Sequence, residues 1–350
     1  SIFGGGSSAD DEDDDDDDEG KNQAYEVVLS SSSGNVNYDV DSMRLVYSSM
    51  TTPRTTVDYF PKEGKFVTLK VQDVPNYDAS KYATKRVLVE SRDGVTNIPM
   101  TLLWRPDKVT QHVHLYGYGS YGICLEPSFS AIRLPLVDRG VVYALAHVRG
   151  GGEMGKLDWY ERGGKYLTKQ NTFFDFVDCA TKLKEELYPN CDLSIEGRSA
   201  GGLLVGQSVN LEPSLFKAVI AGVPFVDLMV TMCDSSIPLS TEEWAEWGNP
   251  NSEAFFDYML QYSPIDNVKE GVAYPAMLLV SGLWDPRVAY WEPAKWAQVL
   301  RHSIPNPRDV VLKMDLDAGH FSAADRYKFY SELAFDYAWL LDKIILDTKR

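Results

Sequence analysis

Cysteine is scarce in this sequence: four among 350 residues, at Cys124, Cys179, Cys191 and Cys233, with no Cys-x-x-Cys pair. That spacing argues against a disulfide framework, and the thiols are expected to be reduced and mostly buried. No apolar run reaches the roughly 18 residues of a membrane helix. The sequence also lacks an opening basic region followed by an apolar one, so neither a membrane span nor secretion is expected and a cytoplasmic location is the default. Basic stripes and basic helices are missing too. At a net charge of −17, their absence argues against a nucleic-acid partner, and a cationic ligand suits the sign of the field better.

What is present is a globular composition, 44% hydrophobic and 24% charged, enough for one large core or one domain with an appendage. Ten of the negative charges lie in the run DDEDDDDDDE at residues 10–19, which leaves −7 for the remainder. Residues 1–22 combine that run with glycine and serine, a composition with too little apolar area to offset the entropy of ordering. A solvated loop is expected there, with an acidic docking site for a basic partner as the other reading. The first residue is serine rather than methionine, which reads as a fragment or a processed product.

Two patterns divide the rest. From YEVVLS (25–30) through MRLVYSSM (43–50), TTVDYF (55–60) and KFVTLKV (65–71), short β-branched and aromatic runs recur with turn residues between them. They predict a small antiparallel sheet, too small to stand alone. After a hairpin, KRVLVES and NIPMTLLWRP about the turn RDG, strands alternate with helices. HVHLYGYG, VVYALAHV, DLSIEG, FKAVIAGVPF, AMLLVSG and DVVLKMDL read as strands. The segments at 172–188, at 290–303 and from about Ala323 to Leu346 read as helices. Alternation of this kind predicts an α/β fold, a doubly wound, mainly parallel sheet covered on both faces, over residues 76–350. Residues 1–75 form the all-β segment. Chemistry in such a sheet belongs on loops at the carboxyl ends of strands.

One such loop is EGRSAGGLL, residues 196–204, where Ser199 stands in G-x-S-x-G between a strand and a helix. A sharp strand-to-helix turn needs tiny neighbours at Gly197 and Gly201 and lifts the hydroxyl clear of the chain. The free amide of Ala200 points where an oxyanion would form. A serine nucleophile needs a base, and the base an orienting acid. Of five histidines, His112 and His114 alternate on a strand with no third ligand nearby, so no metal and no cofactor is expected; His147 lies in a buried run and His302 near a helix end. His320, in DAGHF, follows a strand and precedes the last helix; Asp285, in SGLWDPRV, follows AMLLV. Asp315 and Asp317 are the other acids near His320, but they share its loop, which favours Asp285. The chain order Ser199, Asp285, His320 is that of α/β-hydrolases.

The motifs LYGYGSYG, VRGGGEMG, KQNTFFDF, GRSAGGLLVG, GVPFVDLMVTMCD, EWGNP, DPRVAYWEPAKW and AGHFSAADRY together resemble the prolyl oligopeptidase family of serine peptidases, and within it the oligopeptidase B branch. The likeness runs from about residue 40 to the end. It implies an α/β-hydrolase domain beside a β-propeller, of which residues 1–75 resemble only the final part, and cleavage of short peptides after Arg or Lys. It implies Ser199, Asp285 and His320 as the triad and Tyr118 with the Ala200 amide as oxyanion donors. It also implies Arg287 as the arginine holding a substrate carbonyl, Glu243 as the carboxylate for a basic P1 side chain and Phe225 as an aromatic wall of that pocket. Glu126 matches the first of two acids for a basic P2 residue, with Ser128 in place of the second. A second P1 acid is expected two residues after Glu243, where this chain has Ala245, and then Glu246.

The expected partners are short peptides with basic residues, not nucleic acid or membrane, and nothing in the sequence speaks to oligomeric state. Competing readings are a prolyl oligopeptidase or acylaminoacyl peptidase specificity, and an inactive truncated fragment whose acidic segment is an interaction element. A surface salt bridge is the alternative for Arg287, and a core position the alternative for Phe225.

Overall fold

A computed structural model describes residues 24–30, 35–321 and 325–346. The acidic run, and both expectations for it, lie outside the described residues. Two sheets organise the chain. The first is an antiparallel meander, β1 (Tyr25–Leu29), β2 (Met43–Ser49), β3 (Thr55–Phe60) and β4 (Lys65–Val71), paired in chain order. The four runs singled out by their β-branched and aromatic residues are these strands. Met50, at the end of β2, is 1% exposed and packs into an apolar cluster of the larger sheet. The Tyr77 hydroxyl donates to the carbonyl of Thr51, and the Phe129 amide to the Ser48 hydroxyl, so polar contacts join the two sheets as well.

The second sheet has eight strands: β5 (Ala83–Glu90), β6 (Asn97–Trp104), β7 (His112–Tyr116), β8 (Val142–Ala146), β9 (Asp192–Arg198), β10 (Ala218–Gly222), β11 (Ala276–Gly282) and β12 (Val310–Asp315). Their spatial order is β12-β11-β10-β9-β7-β8-β6-β5. The β5/β6 hairpin and the β6/β8 pair are antiparallel, and the other pairings are parallel. Burial on both faces explains why β8 and β10 are almost wholly apolar. Val142, Ala144 and Ala146 enter one core with the helices Gln170–Lys182 and Ala200–Leu211, while Tyr143 and Leu145 enter the other with Leu136, Tyr337 and Leu340. The helix Ala200–Leu211 is buried on nearly every side, so its sequence shows no polar face.

Two details depart from the sequence reading. The last helix starts at Arg326 rather than about Ala323, capped by Asp325, whose carboxylate accepts from the Tyr327 and Lys328 amides, and its helical run continues past Leu341 through the wider turns of Asp342–Leu346; residues 322–324 lie outside the described residues. Cys179 and Cys191 are buried, but Cys124 is only half-buried and Cys233, the last residue of the short, largely buried helix Leu228–Cys233, is exposed.

The topology sets the stage for a site. Strand β7 lies between β8 and β9, so the chain departs to opposite sides from its carboxyl end. Loops leaving β7 and β9 diverge there, and the crevice between them is where a ligand fits in an open α/β sheet.

Candidate active site

Ser199 occupies that crevice, immediately after β9. Its backbone has φ 57° and ψ −119°, a conformation that costs a non-glycine residue about 1–3 kcal/mol. The turn tolerates no larger neighbours: a Cβ on Gly197 would stand 2.0 Å from the Gly201 carbonyl oxygen, and one on Gly201 would stand 2.9 Å from that of Gly117. Ala200 begins the next helix, so its amide has no intrahelical partner.

The His320 Nε2 atom lies 3.1 Å from Ser199 Oγ, and His320 Nδ1 lies 2.7 Å from Asp285 Oδ2. The other oxygen of Asp285 accepts from the amides of Arg287 and Val288, at 2.8 and 2.9 Å. A carboxylate only accepts, so the proton sits on Nδ1 and Nε2 is left free to receive the serine proton. The Asp285 side chain is fully buried and that of His320 is 6% exposed, which keeps water from competing for these bonds. Asp315 is drawn elsewhere, into an ion pair with Lys328 at 2.8 Å, and it accepts from the Asp317 amide.

A cavity of about 310 Å³ opens beside Ser199, lined in part by Tyr118, Ala200, Phe225, Glu243 and Arg287. Tyr118 stands on the loop leaving β7. Burial is the main cause that pushes its hydroxyl up to about 12, so the phenol keeps its proton and is available as a donor. Glu243 Oε2 accepts from the Tyr121 hydroxyl at 2.8 Å and from Trp247 Nε1 at 3.0 Å, which fixes the carboxylate. Phe225 is 7% exposed with its ring 5.4 Å from that of Trp247, so it is both cavity wall and core. Arg287 has no ion pair among the described residues; its guanidinium lies 5.1 Å over the Phe321 ring.

A sequence model of the prolyl oligopeptidase family matches residues 127–346. The chain belongs to the prolyl oligopeptidase family. Among curated members, it is 46% identical to dipeptidyl aminopeptidase BI of Pseudoxanthomonas mexicana, over 93% of this chain and 45% of that protein. It is 42% identical to protease 2 of Moraxella lacunata, over 91% of this chain and 46% of that one. Among solved structures, oligopeptidase B from Leishmania major superposes with a TM-score of 0.85 at 46% identity, covering 92% of this chain and 45% of that one. Oligopeptidase B from Trypanosoma brucei with covalently bound antipain gives 0.84 at 51%, with the same coverage. The chain thus spans about half the length of these relatives. Its larger sheet is the α/β-hydrolase sheet of this serine peptidase family, and within the family it is oligopeptidase B-like.

Not every residue that the family resemblance nominated shares the cavity. Glu126 lines a second cavity of about 520 Å³, together with Ser128, Arg198 and His320. The two cavities adjoin at the hydrogen-bonded Ser199 and His320 pair, since Ser199 lines one and His320 the other. Burial, then Glu26 and Glu153, raise the Glu126 carboxyl above its usual range. Glu246 does not stand in for the missing acid at Ala245: it is 3% exposed and turned away from the cavity, accepting from the Tyr121 amide at 2.9 Å and the Tyr160 hydroxyl at 2.5 Å. Among the described residues no three His, Cys, Asp or Glu side chains gather as metal ligands. His114 is instead bonded to Ser194 and Glu196. No helix among them is long and apolar enough to cross a membrane.

Sequence reading missed Tyr121 and Glu292. Tyr121 lies within the quoted LYGYGSYG motif, and its φ of 60° turns the ring toward Glu243. Glu292, 1% exposed, accepts at Oε2 from the Val226 and Asp227 amides and at Oε1 from the Thr231 hydroxyl. It therefore holds the segment after β10 that carries Phe225. Burial raises its carboxyl from 4.5 to about 7, against the lowering effect of those three bonds. The folded state binds the extra proton, so the stability it contributes is fully present below about pH 4.5 and is lost as pH rises through about 7. Urea midpoints at pH 5 and pH 8 should differ by the equivalent of roughly 2–3 kcal/mol from this group, the lower stability lying at pH 8. Glu292→Gln, whose amide oxygen keeps both backbone donors and whose NH2 meets Thr231, should remove that difference. Identical pH dependence in both proteins would contradict the assignment.

Proposed function

We propose that this chain carries the catalytic part of an endopeptidase that cleaves short peptides after Arg or Lys through an acyl-enzyme. The observation that carries the reading is a carboxylate, Glu243, held by Tyr121 and Trp247 in the same cavity as the Ser199 hydroxyl. In this reading Ser199 Oγ attacks the peptide carbonyl while His320 Nε2 takes its proton. Asp285 keeps the imidazole oriented and offsets its positive charge. The oxyanion receives hydrogen bonds from Tyr118 and the Ala200 amide, donors already in place before charge develops. His320 then protonates the leaving amine, and water activated by the same imidazole releases the acid.

The P1 guanidinium or ammonium meets Glu243, with Phe225 flanking it. Arg287, without a carboxylate partner among the described residues, is available to take a substrate carbonyl. Glu126 in the adjoining cavity offers an acid to a second basic residue. The negative balance of the chain favours such cations at a distance. Residues 1–75 are read as the end of a propeller beside this catalytic unit.

A fluorophosphonate probe and a panel of fluorogenic amides test the proposal. Ser199 should be labelled, and kcat/KM for Arg and Lys at P1 should exceed that for Pro, Ala and Phe by about 10⁴-fold, the discrimination expected when a built polar partner is left unpaired by the wrong side chain. Equal turnover of a prolyl amide refutes the P1 assignment, and failure to label refutes the enzyme reading in favour of an inactive fragment. A second reading, release of dipeptides, is favoured by the 46% identity to dipeptidyl aminopeptidase BI. It predicts faster cleavage of dipeptidyl amides with a free amino terminus than of their N-blocked forms.

A further inference from the structure

Among the described residues Lys169 is the one lysine that ranks with the largest fully buried side chains, 1% exposed, and the catalytic scheme above does not use it. Its Nζ donates to the Gly119 carbonyl at 2.6 Å and to the Ser120 hydroxyl at 2.9 Å. Glu246 Oε1 lies 3.9 Å away and itself accepts from the Tyr121 amide at 2.9 Å. Three successive residues after Tyr118 are therefore held by one buried cation and one buried anion. The aromatic face of Trp247, 5.1 Å from Lys169 Nζ, closes the other side. Burial lowers the Lys169 ammonium to about 8, with Glu246 opposing the shift. A charge so placed is expensive to keep unless it organises its surroundings.

The arrangement reaches the specificity pocket through Tyr121, whose amide is bonded to Glu246 and whose hydroxyl is bonded to Glu243. Glu243 and Glu246 are three residues apart on the helix Ser240–Trp247, so one turn of helix joins both anchors. The loop has little freedom to settle otherwise: Gly119 has φ +71°, and a Cβ there would meet Thr172 Cγ2 at 2.4 Å, one turn along the helix that Lys169 precedes.

We propose that Lys169 and Glu246 are positioning residues that hold the oxyanion tyrosine and the P1 carboxylate in a single rigid frame. The inference rests on the functional reading above for the roles of Tyr118 and Glu243. A side chain that only stabilised the fold would change the melting temperature and the number of competent sites. A frame that aims Tyr118 changes kcat per competent site, because a donor displaced by a fraction of an ångström loses its bond to the oxyanion.

The test is a double-mutant cycle with kcat referred to fluorophosphonate-titrated sites. Lys169→Met and Glu246→Gln should each lower kcat by about 10–100-fold on Arg and neutral substrates alike. Tyr118→Phe alone should cost about 10²–10³-fold, and adding Lys169→Met to it should cost less than about threefold more, since the donor being aimed is already gone. Glu246→Gln should also raise KM for Arg substrates and not for neutral ones, shrinking the Arg preference in kcat/KM, and Glu243→Gln should abolish that part of its effect. Retention of kcat within twofold in both single variants, or losses that add fully to that of Tyr118→Phe, overturns the proposal. If Lys169→Met yields no titratable sites, Ser120→Ala, which removes one of its two acceptors, is carried through the same cycle under the same criteria. Were the parent protein to show no preference for Arg or Lys, the P1 reading would fall. The cycle against Tyr118, read on whichever amide is cleaved, would still decide the role of the buried pair.

Discussion

Ser199→Ala is expected to lower kcat by about 10⁶-fold, with the protein still folded. The substitution removes one oxygen from a residue whose side chain bonds only to His320 among the described residues, so little but the nucleophile is lost. His320→Ala should cost about as much, and the double variant hardly more, because the two groups transfer one proton as a unit. Asp285→Asn separates orientation from structure. The asparagine oxygen keeps the Arg287 and Val288 amides, which hold the carboxylate now, while its NH2 faces His320 Nδ1 as a donor. That imposes the wrong tautomer, leaves Nε2 protonated and should lower kcat by about 10⁴-fold at nearly unchanged melting temperature. Single-turnover hydrolysis of an Arg amide provides the measurement; activity within tenfold of the parent in Ser199→Ala rules this serine out as the nucleophile.

Glu243→Gln is expected to reduce kcat/KM for Arg amides by about 10²–10³-fold while changing neutral P1 substrates less than threefold. Tyr121 and Trp247 both donate to one oxygen of Glu243 and need an acceptor there. The glutamine oxygen takes that position, which turns the NH2 toward the guanidinium. The variant thus removes the counter-charge and opposes donor with donor, an effect larger than the loss of one hydrogen bond. Uniform losses across the panel would instead mark Glu243 as a structural acid.

How much of this was legible beforehand follows from the range of the forces concerned. Strands β3, β4 and β11 were read to the residue, because side-chain alternation and turn residues act within a few positions. Ser199 was legible for the same reason: Gly197 and Gly201 answer a local steric demand of the turn. Asp285 and His320 were legible at one remove, since chain order and the carboxyl ends of parallel strands limit where partners stand.

The acids were another matter. Glu243 and Glu246 sit three apart on one helix with the same chemistry, yet one lines the cavity and the other is buried behind it. Their donors, the Tyr121 hydroxyl and the Tyr121 amide, arrive from a loop more than a hundred residues earlier in the chain. No local pattern encodes that choice. Glu292 likewise bonds backbone amides some 65 positions away, and nothing in its neighbourhood distinguishes it from a solvent-facing helix residue.

By itself the sequence determined the alternation of strands and helices, the tight turn at Ser199 and the order of its partners, since these depend on volumes and periodicities of neighbouring residues. Only the tertiary structure decided which carboxylates meet solvent, the cavity beside Ser199 or a buried cation. Desolvation and hydrogen bonding of a charge depend on what surrounds it in space, and that is set by how the loops after β7 and β9 pack.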